Sequence, residues 1–448
     1  MDFLGSIQHI NGLLGLPSLI LVLGVSVVLA FALKFIQIRY FWYAWKQILF
    51  PADRGVSHEG KVDMTPMQAF VNTLSSNLGN GSIGGVAVAI YAGGPGAAFW
   101  LVVCGVLLMA VRFSEAFLSM HYAQTAPVST TRNLGGPMLY LRHVMGGKQL
   151  AWLYGLFCLL FGLIAGNGLQ TNTISLSLEN TFGLAPIATA IIVTLFTLYI
   201  VFGGAHRIVS ASMKIVPIKV IVFFGTTLIV LAYHYGAIGA ALALIFKSAF
   251  SHTAAMGGVL GFSVQQAMRQ GMMRSTFASE SGLGTAGVLF GFTGSKNPMK
   301  DAILAMLSTF ISTIVCLIVA LCIVASGVWN SGLTSSALTI ASFQTVFGTF
   351  GGYAVSFLSI TFGIGVLVAY AYIALECWLF LTGGRYAMLF NILYCLFAFG
   401  GALVDVTFLW ALSDIPQTVM LAINLFGILC LVPVIRKQVN EFSQHAHR

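Results

Sequence analysis

Charged side chains are the scarcest material in this sequence. Of 448 residues, 21 are lysine or arginine and 12 are aspartate or glutamate, 7% in all, against about 25% in a soluble domain. That shortage excludes a water-soluble globular protein. The net charge of +9 is spread through short connections rather than gathered on one face, so no nucleic-acid partner is expected; a basic bias in cytoplasmic loops explains the excess. The seven cysteines contain no CxxC pair and fall in apolar stretches, which argues against a disulfide or zinc framework. HExxH and GxSxG are missing too, so no intramembrane enzyme is expected. No basic residue precedes Lys34, which leaves the N-terminal stretch without the signature of a cleavable signal peptide.

What is abundant is apolar: 58% hydrophobic residues, with 35 phenylalanines and 49 glycines. Eleven apolar segments can be counted, at about 18–36, 66–92, 95–120, 152–178, 184–203, 213–233, 264–294, 299–327, 351–378, 385–403 and 416–434. Long apolar runs with little strand-like alternation predict helices, hence an all-α polytopic membrane protein with lipid around it. The shorter stretches 236–250 and 337–350 are expected to lie along the outer interface. Basic residues fall after alternate segments: Lys34, Arg39, Lys46, Arg54 and Lys61 after the first, Arg112, Arg132, Arg142 and Lys148 after the third. Arg207, Lys214 and Lys219 are assigned between the fifth and sixth, Lys296 and Lys300 after the seventh, Arg385 after the ninth, and Arg436, Lys437 and Arg448 in the tail. The bias predicts a bacterial-type inner or plasma membrane protein with its N-terminus outside and its C-terminus in the cytoplasm.

Two of the segments are interrupted by polar, glycine-rich runs, Gly79-Asn80-Gly81-Ser82-Ile83-Gly84-Gly85 and Ser279-Glu280-Ser281-Gly282-Leu283-Gly284, about 200 residues apart. Irregular backbone survives at membrane depth only where it is buried in protein or lines a polar cavity. Unwound half-helices expose N–H groups at one end, suited to a carboxylate, and carbonyls at the other, suited to a cation. Setting aside 18–36 as an extra N-terminal helix leaves ten segments. They form two sets of five, 66–233 and 264–434, each beginning with a break. Five being odd, the halves enter the membrane from opposite sides, an inverted 5+5 repeat in one transporter domain spanning 1–448 with its site at the midplane. The expected function is secondary transport. N–H groups from Ser82 to Gly85 would face the carboxylate and carbonyls near Leu78 and Gly79 a cation.

Gly79, Gly81 and Gly84 also spell GxGxxG, but neither the preceding strand nor the following acid of a dinucleotide site is present. Glu280 is an ionisable residue in an apolar helix, a functional candidate by default. It is open to carrying a proton, balancing a substrate ammonium, or hydrogen-bonding the freed backbone. Arg269 and Arg274 are expected to line an outer vestibule, and Arg112 and Glu115, three apart, to form an ion pair at a cytoplasmic helix end.

The runs 79–87, Gly93-Gly94-Pro95-Gly96-Ala97-Ala98-Phe99-Trp100, Gly135-Gly136-Pro137-Met138, Gly166-Asn167-Gly168-Leu169-Gln170-Thr171-Asn172, 277–284, 306–313 and 410–416 resemble the signature blocks of the alanine or glycine:cation symporter family. The blocks run in the same order from about residue 65 to 435. The resemblance implies a leucine-transporter-type fold, a small neutral amino acid as substrate and usually sodium as coupling ion, with no other cofactor. It implies substrate contacts from Gly79, Asn80, Gly81, Ser82, Ile83, Gln170, Phe277 (a lid), Ser279, Glu280 and Ser281, and a cation site drawing on Ser82, Ser312 and Thr313. The chain departs from the family where Gly-Thr-Gly-Asn-Ile is usual at the first break and Asn-Glu-Ala-Gly at the second. Ser312-Thr313 stands for an Asp-Thr pair, and Gly363-Ile364 with Val368 for a Ser-Thr pair followed by a tryptophan. Losing a carboxylate and two hydroxyls weakens a sodium site, whose ligands are oxygens, so weak sodium dependence is expected, with Glu280 as the only acid near the midplane. The sequence thus predicts cation-coupled import of an alanine- or glycine-class amino acid. A proton-coupled or ion-independent exchanger is the alternative, and a channel a more distant one.

Overall fold

Apolar helices run until glycine, serine or asparagine offers the backbone another partner, and two of them stop in mid-course for that reason. The computed structural model describes residues 3–50, 64–125, 135–250 and 264–446. Arg54, Lys61, Arg132 and Arg448, used above for topology, lie outside the described residues. Among the described residues every regular element is helical.

After α1 (Phe3–Ala32), the first broken segment consists of α2 (Pro66–Asn77), a single 3-10 turn over Asn80–Ser82, and α3 (Gly84–Gly93). Thr65 starts α2 with a reciprocal cap. Its hydroxyl accepts from the Gln68 N–H, the Gln68 side chain accepts from the Thr65 N–H, and Pro66 takes the first helical position; such a cap contributes about 1 kcal/mol. There follow α4 (Gly96–Thr125), α5 (Gly147–Leu163), a π-turn at Ile164–Gly168, α6 (Leu169–Phe182), α7 (Pro186–Val201), α8 (Gly204–Tyr233) and α9 (Tyr235–Phe250). The second broken segment is α10 (Val264–Ser279) and α11 (Thr285–Gly291). Then come α12 (Pro298–Ala325), α13 (Ser335–Phe347), α14 (Phe350–Thr382), α15 (Ala387–Gly401) and α16 (Val406–Ala446).

Six of the described stretches are long and apolar enough to cross a membrane: Gly96–Gln124, Gly147–Phe182, Gly204–Tyr233, Pro298–Ala325, Phe350–Thr382 and Val406–Gln444. The chain is a multi-pass membrane protein. Outward faces fit hydrocarbon as solvent, since Ile191, Leu195 and Leu198 of α7 and Ile221 and Leu228 of α8 are exposed. The broken segments lie inside, where α10 packs on α4 and α3, and α4 packs on α12.

Two basic residues read from the sequence as loop charges are nothing of the kind. Lys219 lies in the middle of α8 and Arg112 in the middle of α4, both fully buried. Their distance from any helix end removes them from the topology argument and requires internal partners for both charges.

Candidate functional site

At the first break, α2 ends at Asn77 and its last carbonyls have no helical successors. Lys219 reaches in from α8. Its Nζ donates to the Leu78 carbonyl at 2.8 Å and the Ser75 carbonyl at 2.9 Å, and it lies 5.4 Å from the Phe362 ring centre. The expected cation ligands at Leu78 thus already hold an ammonium. At about 4 Å, two unit charges repel by about 4 kcal/mol at the effective dielectric of a protein, so this pair of carbonyls does not suit a sodium ion as well. The Ser82 and Ile83 amides, expected to face a carboxylate, instead donate to the Gly79 and Asn80 carbonyls.

The second break is a tighter structure. Glu280, Gly282 and Gly284 all have positive φ, at 53°, 94° and 81°; glycine adopts this conformation freely, whereas a glutamate there is strained. Glu280 is steadied by Thr285, whose hydroxyl donates to Oε2 at 2.9 Å. The freed amides are met from α4: Glu115 Oε1 accepts from Gly282 N–H at 2.6 Å and Gly284 N–H at 3.0 Å, and from the Asn424 amide at 2.9 Å. Asn424 also donates to the Gly282 carbonyl at 2.8 Å, and the Tyr154 hydroxyl to the Leu283 carbonyl at 2.7 Å. Arg112 donates to the Ser279 carbonyl and lies 3.4 Å from Glu115. The ion pair read from the spacing is therefore present, but it lies buried in mid-helix rather than at a helix end. It supplies an anion for the amides and a cation for a carbonyl of the break, and Glu115 is a second acid beside Glu280. With the backbone satisfied by Glu115, the Glu280 carboxylate is left to face a cavity.

The breaks meet where glycine allows it. A Cβ on Gly81 would lie 2.7 Å from the Phe277 ring, so these residues touch only because position 81 has no side chain. Between them is a cavity of about 20 Å³, room for one water and not for an amino acid. Of the ten predicted contacts, Gly79, Gly81, Gln170, Phe277 and Glu280 line it. Gln170 receives the Asn80 N–H at 3.4 Å and donates to the Ala165 carbonyl in the π-turn, and π-turns are frequent at functional sites.

The other five predicted side chains are engaged elsewhere. Asn80 Oδ1 accepts from Ser359, the Ser82 hydroxyl donates to the Asn77 carbonyl, and Ile83 is in the core. Ser279 Oγ accepts from the Ser281 N–H, and Ser281 pairs with Thr309. In the expected cation set, the Ser312 hydroxyl donates to the Ala278 carbonyl and the Thr313 hydroxyl to the Thr309 carbonyl. On α14 the cavity wall is Val366 and Tyr370, four apart on one helix face, while Val368 is buried away from it. Sequence reading missed Tyr370, although a Cβ on Gly166, within a signature block, would strike its ring.

A second, larger cavity of about 380 Å³ opens between α1, α10 and α16, with Arg269, Met272, Trp410, Asp414 and Gln417 among its walls. Arg274 stacks on Trp410 at 4.9 Å from the ring centre. Of the two arginines of α10, Arg269 lines this cavity and Arg274 packs on one of its wall residues.

The sequence profile of the sodium:alanine symporter family matches residues 2–448. An "Uncharacterized transporter" of Haemophilus influenzae is 33% identical over 436 residues, covering 96% of this chain and 94% of that protein. The "Sodium/alanine symporter AgcS" of Methanococcus maripaludis is 31% identical over 99% of this chain and 98% of its own. The "Probable sodium/glutamine symporter GlnT" of Bacillus subtilis is 28% identical over 95% and 87%. On the full-length profile match and these near end-to-end relatives, the chain belongs to the sodium:alanine symporter family, a family of transporters and not of enzymes.

Proposed function

We propose that this protein imports a small neutral amino acid together with a cation, binding it between the two breaks. The observation that carries the reading is the contact of Gly81 with Phe277 over a cavity shared by both breaks. Names of relatives agree with it, one being a sodium/alanine and another a sodium/glutamine symporter. The carboxylate would meet the amide end of α3, and the ammonium would meet Glu280. The 20 Å³ cavity is a closed form, and admitting substrate requires the breaks to part, as alternating access of a broken-helix bundle provides.

The inverted five-plus-five repeat in a single domain of eleven spans gains support from a parallel in how the breaks are held. Lys219 reaches the Leu78 carbonyl across 141 residues of chain, and Asn424 the Gly282 carbonyl across 142. Each half's last helix thus closes on its own break. The loop charges that remain once Arg112 and Lys219 are removed support an N-terminus outside and a C-terminus in the cytoplasm, in a bacterial-type inner or plasma membrane.

The test is uptake of a labelled amino acid panel into proteoliposomes, with sodium and proton gradients applied separately. Accumulation of one or more small neutral amino acids supports the reading, and no uptake of any panel member under either gradient overturns it. A proton-coupled variant of this function is favoured by the Glu280 carboxylate, which faces the cavity while Glu115 holds the backbone.

A further inference from the structure

We propose that the Lys219 ammonium is the resident cation of the first break and stands in the place of a coupling sodium ion, so that transport by this chain does not use sodium. Four observations converge. The C-terminal end of a half-helix and its unwound carbonyls form a cation site in principle, and both carbonyls that define it here, Ser75 and Leu78, bind Lys219 Nζ. The side chain is fully buried in mid-helix, where an ammonium is retained only if its position is built for it. The third wall is cut to fit, because a Cβ on Gly365 would lie 2.7 Å from Nζ. Gly365 is itself held to the break, its carbonyl accepting from the Ser75 hydroxyl at 2.8 Å. Finally, the neighbouring pair on α14 is Gly363-Ile364, which offers no hydroxyl to complete an oxygen shell.

A tethered cation does part of what a bound ion does. It neutralises the end of α2 and joins α8 to α2 and α14, so the broken helix keeps its shape in every step of a cycle. It cannot be released to the other side, so it stores no ion gradient. The driving ion must then be something else, and Glu280 faces the cavity as a proton carrier. The consequence for uptake rests on the transport reading; the occupation of the break by Lys219 does not.

The test is a sodium titration of the purified full-length protein at constant ionic strength against choline, read as thermal unfolding without substrate and, separately, as amino acid binding. The wild type is expected to show no saturable sodium response in either. Lys219→Met keeps the aliphatic stem and removes the charge. It should lower the unfolding temperature, weaken amino acid binding at least tenfold, and gain a saturable sodium response if the vacated carbonyls take the ion. A saturable sodium shift in the wild type overturns the proposal, as does Lys219→Met with wild-type unfolding and binding. If Lys219→Met does not fold, the wild-type titration decides alone. Should the protein bind no amino acid at all, the transport reading fails while the unfolding titration still reports on Lys219.

Discussion

The ring of Phe277 stands against that of Trp410, with centroids 4.9 Å apart and planes tilted by 46°. Phe277 lines the small cavity between the breaks and Trp410 the large one beside α16. The aromatic pair is therefore the partition between the two spaces, and the Arg274 guanidinium lies 4.9 Å from the Trp410 ring centre. Such pairs contribute about 0.5–1.5 kcal/mol beyond their buried area, enough to hold a partition and little enough to part within a transport cycle.

Opening that partition should cost affinity before it costs folding. Phe277→Ala is expected to weaken amino acid binding by about tenfold, the equivalent of about 1.4 kcal/mol, and to leave the unfolding temperature close to wild type. Equilibrium binding in detergent measures it, and undiminished affinity would remove Phe277 from the site.

Filling the contact between the breaks should likewise remove binding while leaving the protein folded. A Cβ on Gly81 already overlaps the Phe277 ring, so Gly81→Leu must push the two breaks apart or occupy the substrate's space. We expect binding to be abolished with the protein still monodisperse on size-exclusion chromatography. Wild-type affinity in this variant would place the substrate elsewhere.

The two buried acids should separate by function. Glu115 accepts three hydrogen bonds, two of them from the second break, and lies beside Arg112. Breaking such a buried pair costs about 3–5 kcal/mol, so Arg112→Met and Glu115→Ala should lower the unfolding temperature sharply. Glu280→Gln should change it little, yet exchange substrate without concentrating it. Wild-type uptake should rise as external pH falls, and that rise should vanish in Glu280→Gln. Equal thermal losses in all three variants would refute the division of roles.

Substrate size should be read by Val366 rather than Val368, because only Val366 lines the cavity. Val366→Ala should improve competition by larger neutral amino acids. Since one methylene in a pocket is worth about 1–3 kcal/mol, the gain should be roughly tenfold for a single added group. A competition series from glycine to leucine measures it, with Val368→Ala as the variant expected to leave the series unchanged.

Some of this was legible in the order of residues and some was not. Two runs of glycine and small polar residues inside apolar stretches, at 79–85 and 279–284, determined that the helices break there, and the breaks stand at 78–83 and 280–284, since local propensity and backbone satisfaction depend on neighbours in the chain. The scarcity of charge likewise decided the solvent, and the signature blocks the family. What neighbours in sequence cannot tell is which distant side chain answers a given backbone group. Lys219 looked like a loop charge and Arg112 with Glu115 like a helix-end ion pair, because their partners lie more than 140 residues away from them. Only the folded arrangement, in which α8 closes on the first break and α4 on the second, turned three isolated charges into the groups that hold both breaks. A buried charge must find a partner wherever the packing brings one, and packing is a property of the tertiary structure.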